Sequence, residues 1–234
     1  MSSQASVSSF VRKFPSHLQF DCFDPGKVLS GMTLKNCENR TDFVRRIAGS
    51  GQNLLSLNQV HGDKIAWVKR GASREIPATD ALVTRDKHVI ITVRTADCVP
   101  VFLFDPVTSA IGLVHAGWKG ARLGIAAKTV RELFFRFGVK PENLMALLGP
   151  SIRSCCYEFE PDYVPEFKAY MTSAGNKFHF DLPAYLTREL IGLNIPAESI
   201  FDTNLCTFCQ PEDFFSYRRD PASDGRMVSF MMLQ

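Results

Sequence analysis

Between residues 81 and 115 the chain carries four short apolar, β-branched runs, at 81–84, 88–93, 99–104 and 110–115. Only a few residues separate one run from the next, and Asp105-Pro106 breaks the third from the fourth as a turn does. The middle of the chain is thereby confined to short strands joined by tight connections. Directly after them comes the strongest helix signal, residues 121–137. Ala126, Val130, Leu133, Phe134 and Phe137 share a face at helical spacing, and Gly138 then Pro141 close it.

The same reading places helices at 41–48, 161–173 and 182–193. It places strands at 54–60, 65–68 and 144–148, with 214–218 and 227–233 as a closing strand pair. Strands and helices mixed in this order predict an α/β (α+β-like) single domain over 1–234, its mixed β-sheet flanked by helices rather than doubly wound. Residues 1–20 are expected to be poorly ordered. No low-complexity linker or repeat interrupts the chain.

Three segments carry the chemistry: Asn58-Gln59-Val60-His61-Gly62-Asp63, Thr95-Ala96-Asp97-Cys98-Val99-Pro100 and Val114-His115-Ala116-Gly117-Trp118-Lys119-Gly120. Each sets one metal ligand, nucleophile or base beside residues that force a tight backbone. His61, Cys98 and His115 make three protein ligands, the number a catalytic zinc site uses while leaving its fourth position open. Each residue alone also has an ordinary reading, as a turn histidine or a packed cysteine. Their spacing is long, so only the fold can join them. Lys119, between Gly117 and Gly120 at the start of the 121–137 helix, marks a candidate anion site; the plain reading is a helix-entry loop with one solvated lysine.

These segments resemble the YfiH family, also called the multicopper polyphenol oxidase or laccase-domain family. The resemblance continues through Leu148-Gly149-Pro150-Ser151-Ile152, Cys155-Cys156-Tyr157-Glu158 and Phe214-Phe215-Ser216-Tyr217-Arg218-Arg219. It implies a single α/β domain with a core similar to toxin deamidases that use a Cys–His pair. It implies zinc on His61, Cys98 and His115. It implies phosphorolysis of adenosine, inosine, guanosine and methylthioadenosine, with adenosine deamination. The chain departs from the family pattern in a shortened stretch over 21–36, at Lys119 where arginine is usual, and at Arg153 where glycine is usual. Lysine is a point charge and arginine a fork, so the second departure weakens bidentate anion binding.

Asn58, Gln59, Lys119, Arg218, Arg219 and Cys206 are the candidate substrate- and anion-binding residues. Asp97 either orients a histidine ligand or caps its turn. Cys206-Thr207-Phe208-Cys209 is a C-x-x-C lacking a second pair at zinc-knuckle spacing, so structural thiols come first; Cys155-Cys156 reads as packing. His17, His88 and His179 read as surface or structural residues.

A zinc-dependent purine nucleoside enzyme leads the function readings. A copper-dependent polyphenol oxidase is the second, with copper at the same ligands. Five histidines and no His-x-His leave little for a multicopper cluster. A metal-free hydrolase using Cys98 and a histidine base is the third, and a binding protein with a structural zinc the fourth. The expected partners are a purine nucleoside and phosphate. A net charge of +3 with scattered Lys and Arg argues against nucleic acid. No apolar run of about 18 residues occurs, which argues against a membrane span. Seven cysteines, an odd count, without a signal-like leader point to free thiols in a reducing cytoplasm, and a monomer is expected.

Overall fold

Along residues 99–105 the side chains alternate between two apolar environments. Val101 and Leu103 face a core shared with helices, whereas Phe102 and Phe104 face a second core between two sheets. All four are buried, so this strand must be covered on both sides. The computed structural model, which describes residues 9–160 and 164–234, shows how.

The strands are β1 (Val11–Lys13), β2 (His17–Phe20), β3 (Val28–Thr33), β4 (Asn53–Leu57), β5 (Ile65–Trp67), β6 (Glu75–Ile76), β7 (Ala81–Thr84) and β8 (Val89–Thr95). They continue as β9 (Val99–Asp105), β10 (Ala110–Ala116), β11 (Met145–Leu148), β12 (Met171–Ala174), β13 (Lys177–Phe180), β14 (Ile200–Asp202) and β15 (Met227–Leu233). The α-helices are α1 (Arg40–Ala48), α2 (Trp118–Arg122), α3 (Ile125–Phe137) and α4 (Leu182–Gly192). One sheet runs β1-β2-β3-β15-β8-β4-β6 and the other β14-β11-β9-β10-β7-β5. Both are mixed. β4 lies parallel to β8 and β6, and β11 parallel to β14, among otherwise antiparallel neighbours apart from the β5–β7 pair.

The sheets pack face to face through Phe20, Met32, Leu55, Ile91 and Met231 on one side and Phe102, Phe104, Ile111 and Leu147 on the other. Helices α3 and α4 cover the outer face of the second sheet. Helix α1 sits on the outer face of the first, with Val44 against Ile90 and Phe230. The expected mixed α/β architecture holds, built from two sheets.

Several expectations are corrected. Residues 9–20 hold two paired strands, and 1–8 lie outside the described residues. The helix expected at 121–137 is split: α2 ends at Arg122, and Gly124, at φ 74°, caps the start of α3. Phe134 is half exposed, so the apolar face is narrower than its spacing implies. The described part of 161–173 is a 3-10 turn, Pro165–Tyr170, running into β12 of a hairpin with β13. Residues 214–218 form no strand, with 214–216 irregular and 217–218 in a turn, because Phe215 N–H donates to Met227 Sδ and Arg218 N–H to Asp97 rather than to a ladder. Their expected partner β15 pairs instead between β3 and β8.

Candidate metal centre

Register brings the site together. His115 on β10 stands opposite Pro100 of β9, and Val114 opposite Ala81 of β7. Cys98, two residues before Pro100, and Asp80, just ahead of Ala81, therefore fall at the same end of three neighbouring strands. Residues 96–98 cross from β8 in one sheet to β9 in the other, with Asp97 at φ 89°. His61 arrives from the β4–β5 connection, itself at φ 59°. The ligand atoms of His61, Cys98 and His115 all lie within 4.8 Å of one another. Glycine is required beside them: a Cβ on Gly117 would stand 2.9 Å from Cys98 Sγ and 3.3 Å from the His61 ring.

Asp80 holds the cluster in place. Its carboxylate, fully buried, accepts N–H bonds from Val60 at 3.2 Å, His61 at 3.0 Å and Gly62 at 2.9 Å. Its Oδ1 also lies 2.8 Å from His115 Nδ1. A carboxylate can only accept, so Nδ1 carries the proton and Nε2 is left to bind a metal. Burial would raise the Asp80 carboxyl, but the His115 ring and the backbone donors more than offset it and keep it ionised. Burial likewise would raise the Cys98 thiol; His115, then His61, bring it down to about 6. Burial would lower His115, yet Cys98 and then Asp80 raise it to about 9. A thiolate held between two histidines, one fixed by a carboxylate, fits the donor chemistry of zinc.

The cluster opens into a cavity of about 770 Å³. Arg94, Lys119, Arg218 and Arg226 line it, together with Trp118, Tyr157 and Tyr217. Arg218 is aimed by its backbone N–H on Asp97 and by a 2.9 Å bond from Nη1 to Glu158 O.

The other predicted site residues divide. Lys119 lines the cavity, in the five-residue α2 rather than at the N-terminus of α3, which starts beyond it. Gln59 lines the cavity with its amide spent on Arg94, donating to its carbonyl and accepting its N–H, both at 2.8 Å. Asn58 is exposed and outside the lining. Arg219 is also outside it, donating to the carbonyls of Thr207, Phe208 and Phe214. Cys206 is buried away from the cavity, among other cysteines. Asp97 orients no histidine; it ties Thr207, Ser216 and Arg218 together.

Asp80 and Arg94 escaped sequence reading. An aspartate opening an apolar strand was the one available signal for Asp80, because a carboxylate there must find buried donors.

Comparisons with known proteins bear on the fold and the family. Mouse purine nucleoside phosphorylase LACC1 is 32% identical over 223 residues, 88% of this chain. The chain spans only 52% of that relative's length. Purine nucleoside phosphorylase YlmD of Bacillus subtilis is 33% identical over 77% of this chain and 70% of its own. The crystal structure of Bacillus licheniformis hypothetical protein YfiH superposes with a TM-score of 0.89 at 28% identity, covering 97% of this chain and all of that one. That of YlmD from Geobacillus stearothermophilus gives 0.87 at 26% identity, over 96% and 99% of the two chains. The model of the multi-copper polyphenol oxidoreductase laccase family matches residues 16–234, and the chain belongs to this family, to which the YfiH and YlmD proteins are its structural neighbours.

Proposed function

We propose that this chain is a zinc-dependent enzyme that cleaves purine nucleosides with phosphate and deaminates adenosine in the same cavity. One observation carries the reading: a three-ligand His/Cys cluster and four cationic side chains open into one cavity. The names of the relatives, purine nucleoside phosphorylase, support it.

His61, Cys98 and His115 would hold Zn²⁺, which supplies Lewis acidity at the cavity floor. Lys119, Arg94, Arg218 and Arg226 offer charge-assisted donors to a phosphate dianion. Trp118 and Tyr217 offer flat apolar faces to a purine ring. In phosphorolysis a phosphate oxygen bonds to C1′ as the C1′–N bond breaks. The electron pair leaves with the base, which takes up a proton, and the products are free base and the sugar 1-phosphate, ribose 1-phosphate or, from methylthioadenosine, methylthioribose 1-phosphate. In deamination water adds at C6 and ammonia leaves, with no phosphate involved. The substrates are adenosine, inosine, guanosine and methylthioadenosine.

The metal-free hydrolase has an observation in its favour, since Cys98, His115 and Asp80 line up as nucleophile, base and orienting acid. His61 favours the metal reading. A thiol nucleophile needs one base, and a second imidazole at the sulfur is a ligand's position. The multicopper reading needs a further histidine-rich cluster. Among the described residues the remaining ligand cluster holds only cysteines.

Phosphate kinetics test the proposal. Lys119→Ala and Arg218→Ala should each raise the phosphate KM about ten- to a hundredfold, the loss of one charge-assisted contact worth about 1.5–3 kcal/mol. Zinc content and adenosine deamination should change little. Equal loss of both reactions would assign these residues to loop structure instead.

A further inference from the structure

We propose that Cys155, Cys156, Cys206 and Cys209 form a second metal site, a four-thiolate structural zinc centre. The four sulfurs lie within 4.8 Å of one another. Cys155 Sγ is 3.6 Å from both Cys206 Sγ and Cys209 Sγ, and Cys156 Sγ is 3.3 Å from Cys209 Sγ. Four thiolates around zinc at a Zn–S distance of about 2.3 Å have tetrahedral edges of about 3.8 Å. The cluster therefore needs only small adjustments to close on an ion.

Packing does not explain the convergence. Cysteines that serve as small hydrophobes are buried. Here only Cys206 is buried, whereas Cys155 and Cys209 are exposed and Cys156 lies between. Thiols that meet at a surface, reachable by an ion, are arranged as ligands are.

Two pinned turns present them. The bridge Ser151–Cys206 lays the two segments side by side, with Thr207 N–H donating to Ser151 O at 3.0 Å. Arg153 grips Asp202 through both guanidinium nitrogens, at 2.9 and 2.5 Å, so the turn carrying Cys155 and Cys156 cannot swing away. Arg219 holds the carbonyls of Thr207 and Phe208, the two residues inside the C-x-x-C turn. On binding, the thiols release their protons to solvent and no electron is transferred. Thr207 Oγ1 also donates to Asp97 at 2.7 Å, and Asp97 accepts Arg218 N–H. A closed zinc there stiffens the cavity wall without entering the reaction.

Zinc counted per chain by atomic emission tests the proposal. The 234-residue chain is expressed with added zinc and purified under reducing conditions. Wild type should carry close to two equivalents, one for each cluster. Cys98→Ala and the double variant Cys155→Ser/Cys209→Ser should each carry close to one, and their combination none. Both serines replace exposed thiols, and Cys209→Ser alone serves if the double variant misfolds. Cobalt-loaded Cys98→Ala should show intense thiolate-to-cobalt absorption. A zinc-free Cys98→Ala chain without that band, or a disulfide within the cluster under reducing conditions, overturns the proposal. Failure of the first centre reads differently: wild type and Cys98→Ala would both hold one equivalent, lost only with the outer cysteines.

Discussion

Four donors converge on the Asp80 carboxylate, three from the backbone of the His61 loop and one from the His115 ring. In the Asp80→Asn variant an amide would turn its N–H₂ toward one or more of these N–H groups and the negative charge would vanish. The fold should lose about 1.5–3 kcal/mol, the worth of a hydrogen bond to a charged group. Zinc affinity should fall about 10–100-fold, as it does when a partner behind a ligand is removed. Competition with a chelator of known affinity measures the second effect; unchanged affinity would limit Asp80 to a structural role. At this scale the three ligands were legible, because each motif pairs a ligand type with turn-forming neighbours. Asp80 was not, since only the pairing of β7 with β10 delivers it. The cysteine cluster was hidden for the same reason, its halves joined by a single bridge between distant turns.

Helices α3 and α4 enclose a carboxyl group. The Oε2 of Glu189 is buried without a partner. Burial outweighs Ala127 and Arg131 and raises its pKa from 4.5 to about 7. Between these values the unfolded chain has released the proton and the folded chain still holds it. Stability therefore falls as pH rises through this window, and the full penalty, up to about 3 kcal/mol, is present above pH 7. Glu189→Gln should accordingly melt higher than wild type at pH 8 and about equally at pH 4. Equal melting at pH 8 would show the carboxylate to be solvated. Elements were legible where apolar residues run together, as in β7 to β10. They were misread where side chains replace the ladder: Asp97 and Met227 take the N–H groups that would have made 214–218 a strand. The break at Gly124 was missed because the apolar spacing continues across it.

At the scale of the whole molecule, two mixed sheets meet so that connections crossing between them end at one cavity. The mixed character was legible in the irregular order of strands and helices. The division into two sheets was not, because β1 and β2 are short and join the rest of their sheet only through β3, which pairs with β15. Among the described residues, no helix is long and apolar enough to cross a membrane. On our proposal, a metal on His61, Cys98 and His115 makes the cavity an enzyme. The most direct test is phosphate-dependent release of purine base from adenosine, followed in one preparation before metal removal, after chelation, and after zinc is returned. The account predicts release that needs phosphate, disappears on chelation and comes back with zinc. Release that survives chelation, or that returns only with copper, would contradict it.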